Sequence, residues 1–129
     1  MKRIISTLLI MVLLIGLMPV ISIPVSAETY GDLRYEIENG EVTITDCSTS
    51  ATGALEIPAT IEGYPVTTID IWAFSSCSRL TSVTIPDSVT SIGNDAFWGC
   101  SGLTSITIPN GVTTIRMNTF YNCSGLISI

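Results

Sequence analysis

Three of the four cysteines, Cys77, Cys100 and Cys123, recur at a step of 23 residues. Thiols can coordinate a metal, close a disulfide or pack as small apolar groups. The spacing is nothing like C-x₂-C, and three thiols in a line cannot make a tetrahedron, which disfavours metal. If the repeats stack, neighbouring cysteines stand about 4.8 Å apart. That separation permits a disulfide at the Cα level, but parallel Cβ vectors oppose one, because a bridge needs Cβ atoms at about 3.8 Å. The pattern favours a buried thiol column, with a disulfide and then a metal behind it. Cys47 has no repeat partner and stays unassigned.

Other chemistry is sparse. The chain has no histidine, so it lacks the commonest general base and zinc ligand. Glu36, Glu38, Glu41 and Asp46 cluster in sequence, but no D-x-D-x-D-G loop organises them for calcium. Nothing sets two carboxylates across a cleft for acid–base catalysis. The reading is therefore no enzyme, no metal and no cofactor. A net charge of −6 argues against nucleic acid. With 47% apolar and 12% charged residues, the chain is not a disordered acidic tail.

The elements that position these residues repeat. The 23-residue step also links Phe74, Phe97 and Phe120; Leu80, Leu103 and Leu126; and Ile69, Ile92 and Ile115. The units read VTTIDIWAFSSCSRLTSVTIPDS, VTSIGNDAFWGCSGLTSITIPNG and VTTIRMNTFYNCSGLISI. A fixed period of this length is the mark of stacked coils. Leu80-x-x-Val83-x-Ile85 and Leu103-x-x-Ile106-x-Ile108 predict strands whose apolar side chains enter the core. Pro86 and Pro109 end them. Val89-x-x-Ile92 and Val112-x-x-Ile115 predict a second extended run. Asn94-Asp95-Ala96-Phe97 and its equivalents predict a single helical turn that drives the phenylalanine inward. The expected repeat core is Ile69, Phe74, Cys77, Leu80, Val83, Ile85, Ile92, Phe97, Cys100, Leu103, Ile106, Ile108, Ile115, Phe120, Cys123 and Leu126.

Residues 28–65 read differently. Asn39-Gly40 joins Leu33–Glu38 to Glu41–Asp46, a strong hairpin signal, because both turn residues take positive φ. Leu55-Glu56-Ile57-Pro58 repeats the strand ending. A five-residue insertion containing Glu62-Gly63-Tyr64-Pro65 then separates it from Val66. This segment is expected to cap the open end of the core. Residues 1–27 combine a basic head, an apolar run and Val25-Ser26-Ala27, so a secretory signal cut after Ala27 is expected. An uncleaved anchor is the alternative, as the run approaches a membrane span. The three segments are therefore leader (1–27), cap (28–65) and repeats (66–129).

The motif IP-x-x-V-T-x-I-x-x-x-A-F-x-x-C-S-x-L-T-S-V-T-IP resembles the BspA-type leucine-rich repeats of bacterial surface proteins. The E-G-Y-P-V-T-T-I segment and its hairpin look like that family's N-terminal cap. The resemblance implies a mainly β leucine-rich repeat solenoid, secreted or surface-attached, adhesive and without an enzymatic residue set. Thr119 departs from the alanine of the A-F pair.

Two surfaces are candidates for a ligand. Ser82, Thr84, Ser105 and Thr107, with Ser128, should face outward from the strands, where leucine-rich repeats usually bind. Simple solvation is the competing reading. Trp72, Trp98 and Tyr121 at the coil corners could serve as protein hot spots or stack on sugar rings; sideways packing onto the next coil is the alternative. A protein partner is expected first and carbohydrate second, with membrane contact only through the leader. A spacer role between other domains is a further reading. The sequence stops inside a unit, where Thr, Ile and Pro would follow by register. This leads to the expectation of a longer protein, or of end-to-end dimerisation through the uncovered coil.

Overall fold

Alternating apolar residues make the first strands. In the computed structural model, which describes residues 27–129, β1 (Glu28–Tyr30) pairs with β2 (Leu33–Glu38), and β2 with β3 (Glu41–Cys47). Residues 1–26, all but the last residue of the expected leader (1–27), lie outside the described residues. Asn39 and Gly40 both take positive φ, 53° and 78°, closing β2 onto β3 with the twist the strands need. Val42 and Ile44 turn inward and are fully buried, while Glu41 is exposed.

The later strands pair in parallel, coil upon coil. β4 (Gly53–Glu56), β7 (Leu80–Thr84) and β9 (Ser105–Thr107) form one sheet. On the other side, β3 pairs in parallel with β6 (Tyr64–Ile69), which pairs in parallel with β8 (Ser91–Ile92). The insertion makes its own small hairpin. β5 (Thr60–Ile61) folds back on β6 through Glu62 and Gly63, both at positive φ. The structure is mainly β, and among the described residues there is no helix, so none is long and apolar enough to cross a membrane.

The core runs between the sheets. Phe74, Phe97 and Phe120 stack face on face, with centroids 4.9 and 5.6 Å apart and planes within 15°. Ile69, Cys77, Leu80, Val83, Ile85, Ile92, Cys100, Leu103 and Ile106 are buried with the first two rings. Ile108, Phe120, Cys123 and Leu126 are partly buried and pack against that cluster.

Three expectations need correction. The segments carrying the phenylalanines are successive turns, not helical turns. Trp72, Asp95 and Asn118 take left-handed φ at one repeat position. Ser76, Gly99 and Asn122 do so four residues later. Left-handed residues this close break a helix. The amides instead reach the next coil, with Phe74 N–H donating to Ala96 O at 2.7 Å and Phe97 N–H to Thr119 O at 3.0 Å. Secondly, the extended run near Val89 is only the two residues of β8, and 112–115 is not a strand. Thirdly, Ile115 is not core but 49% exposed. Its equivalents Ile69 and Ile92 pair across β6 and β8; Ile115 lacks that pairing among the described residues.

Candidate functional site

Pleating fixes what the β4-β7-β9 sheet shows to solvent. Residues two apart share a face, so Val83 and Ile106 go inward while their neighbours go out. Parallel register then stacks like on like. Ser82 lies beside Ser105, and Thr84 beside Thr107. Ser128 extends the serine row through an isolated bridge to Ser105. Thr84 and Thr107 are exposed; Ser82 and Ser105 are half-buried. Each hydroxyl can donate or accept, so the two rows form a neutral hydrogen-bonding surface.

Glu56 joins the threonine row, paired with Thr84, and Ala54 begins the serine row. Sequence reasoning missed Glu56. The signal was present, because Ile57-Pro58 matches Ile85-Pro86 and places Glu56 level with Thr84. A carboxylate therefore marks one end of an otherwise neutral face.

The aromatic residues come together at a corner. Trp72 meets Trp98 edge-on at 6.0 Å, and Trp98 stacks on Tyr121 at 6.3 Å with planes 15° apart. Sideways packing is real here, yet Trp72 stays 49% and Tyr121 55% exposed. Ile71 and Met117 are exposed large apolar residues near them in sequence. Trp72 holds φ 60° at the position where the later coils use Asp95 and Asn118. A bulky residue there is unusual, since Asp and Asn tolerate this region far better.

The cysteine column is built from thiol-to-carbonyl bonds. Cys100 Sγ donates to Phe74 O and Cys123 Sγ to Phe97 O, each at 3.0 Å. Burial, then the neighbouring Cys123 and Cys77, push the Cys100 thiol up to about 12. Burial also raises Cys123. All four cysteines are free thiols. Among the described residues no group of three or more His, Cys, Asp or Glu side chains is arranged to hold a metal.

The sequence matches the family described as "BspA type Leucine rich repeat region (6 copies)" over residues 48–129. That span begins inside the segment read as the cap. Among solved structures, the Treponema pallidum leucine-rich repeat protein is 31% identical, with a TM-score of 0.70, covering 78% of this chain and 48% of its own. A Bacteroides capillosus leucine-rich repeat protein is 35% identical, with a TM-score of 0.69, covering 78% of each chain. A Faecalibacterium prausnitzii protein described as a leucine-rich cell surface protein is 33% identical, with a TM-score of 0.68, covering 84% of this chain and 31% of its own. This chain thus spans less than half the length of two of these three relatives. Among curated proteins, none matches the sequence significantly. Such folds are typically binding scaffolds that engage other proteins. The 23-residue register, the parallel sheets and these matches agree, and the chain belongs to the BspA-type leucine-rich repeat family of bacterial proteins.

Proposed function

We propose that the chain is a non-enzymatic, secreted or surface-displayed module that binds another protein through its strand face. In this reading residues 1–27 are a cleaved leader, 28–65 cap a solenoid and 66–129 are its regular coils. The observation that carries the reading is the pair of hydroxyl rows. Ser82, Thr84, Ser105 and Thr107 stand in register across β7 and β9, and the two threonines are open to solvent. The surface description of the Faecalibacterium relative supports the location. The test is direct binding of the chain to a panel of purified secreted and surface proteins. Saturable binding to a panel member supports the reading, and a flat response across the panel opposes it.

A second reading rests on Trp72. Its left-handed backbone costs about 1–2 kcal/mol, and strain of this kind clusters where side chains do work. The corner of Trp72, Trp98 and Tyr121 would then be the contact, either as a protein hot spot or against a sugar ring. Binding on a glycan array that disappears in Trp72→Asn would favour this corner over the strand face.

A further inference from the structure

Cys47 has no place in the 23-residue register, yet the fold brings it to the foot of the thiol column. It ends β3 and is buried, and Cys77 above it is fully buried. Both sulfurs stand 3.7 Å from the same carbonyl oxygen, that of Ser48.

The other members of the column behave differently. Cys100 and Cys123 each hold a carbonyl of the preceding coil at 3.0 Å, which aims their sulfurs at backbone. Cys77 has no such short bond. Its sulfur is 3.7 Å from both Cys47 O and Ser48 O, a loose arrangement on the backbone that carries the Cys47 thiol. Cys47 also arrives along a different path. It sits at the end of β3, outside the 23-residue register that stacks Cys77 on Cys100.

We propose that Cys47 and Cys77 are a dithiol pair that closes to a disulfide when the chain folds with a disulfide donor, clamping the β2–β3 hairpin to the first regular coil. The Cys77 thiolate attacks one sulfur of the donor, giving a mixed disulfide and releasing one donor thiolate. The Cys47 thiolate then attacks the Cys77 sulfur and releases the second. Two protein thiols are oxidised, the donor is reduced to two thiols, and the two protons pass to it. Because both sulfurs are buried once folded, the exchange belongs to folding rather than to the finished structure.

The experiment refolds the reduced, denatured full chain in a glutathione redox buffer, then alkylates it and maps the cysteines by mass spectrometry. The expected product has lost two hydrogens, links Cys47 to Cys77, and leaves Cys100 and Cys123 alkylated. Its melting temperature falls by roughly 10 °C on reduction. Cys100→Ser keeps the bridge and that reductant-sensitive shift, and Cys47→Ser loses both. Four alkylated cysteines in a chain refolded to the native spectrum, or a bridge joining Cys77 to Cys100, would overturn the proposal. The mapping is done on the parent chain, so it decides the matter even where a variant fails to fold.

Discussion

The rings of Phe74 and Phe97 lie 4.9 Å apart with planes 14° from parallel, although 23 residues separate them. That pair places one coil on the next, and Phe120 repeats the step at 5.6 Å. Phe97 is the ring covered on both sides. Truncating such a side chain removes its transfer energy and leaves a cavity. Phe97→Ala is expected to cost about 3–5 kcal/mol in denaturant unfolding. Phe120→Ala should cost clearly less, because that ring is only partly buried. Equal losses would contradict the column.

Gly102 marks another close approach between coils. A Cβ there would collide with the backbone carbonyl of Ser78, and one at Gly125 would stand 2.7 Å from Ser101 O. Gly102→Ala is expected to destabilise by about 1–3 kcal/mol through overpacking. Gly31→Ala has open space around the added methyl but a left-handed φ of 59°, so it should show only the backbone cost of about 1 kcal/mol. Thermal melts of the two variants check the difference.

Tyr35 supplies a pH signature. Its side chain is buried, and desolvation, followed by Glu62 and Glu28, pushes its phenol from 10.0 up to about 12. The raised value means that the folded state holds the proton more tightly than the unfolded chain. The stabilisation is therefore complete below pH 10 and is lost as pH rises toward 12. Urea titrations across this window should show a decline that Tyr35→Phe lacks. An identical decline in the variant would assign it to other groups.

Trp72 sets two energies against each other. Its left-handed φ costs about 1–2 kcal/mol, while an aromatic pair such as Trp72 with Trp98 returns about 0.5–1.5 kcal/mol. Trp72→Asn installs the side chain found at the equivalent position, Asn118. Its stability should stay within about 1 kcal/mol of the parent, since most surface changes are small. A loss of several kcal/mol would make Trp72 a packing residue and weaken the corner as a contact.

Much of this architecture was legible because a repeat counts itself. Phe74, Phe97 and Phe120 give the period, and the period places Ser82 beside Ser105 before any coordinate is known. Asn39-Gly40 fixed the hairpin, since few other pairs take two positive φ values in succession. The turn-rich corner was harder. Asp95 reads as a helix N-cap, but Asp also tolerates left-handed φ, and only the amide bonds to the following coil decide between them. Ile115 shares its register with two buried isoleucines, and periodicity does not distinguish it from Ile69 and Ile92, which pair across β6 and β8. Glu56 and Cys47 were obscured by the irregular spacing of the first coil. Their roles depend on contacts across the insertion, which no fixed step describes.

The binding face is tested most directly by Thr84→Arg combined with Thr107→Arg. Both side chains are exposed on adjacent strands, so the fold should survive while two charges stand in the middle of the hydroxyl rows. The measurement is surface plasmon resonance against the purified proteins that bind the parent chain. The account predicts at least about tenfold weaker binding, a loss of about 1.4 kcal/mol, with an unchanged circular dichroism spectrum. Full binding by the folded double variant would contradict it.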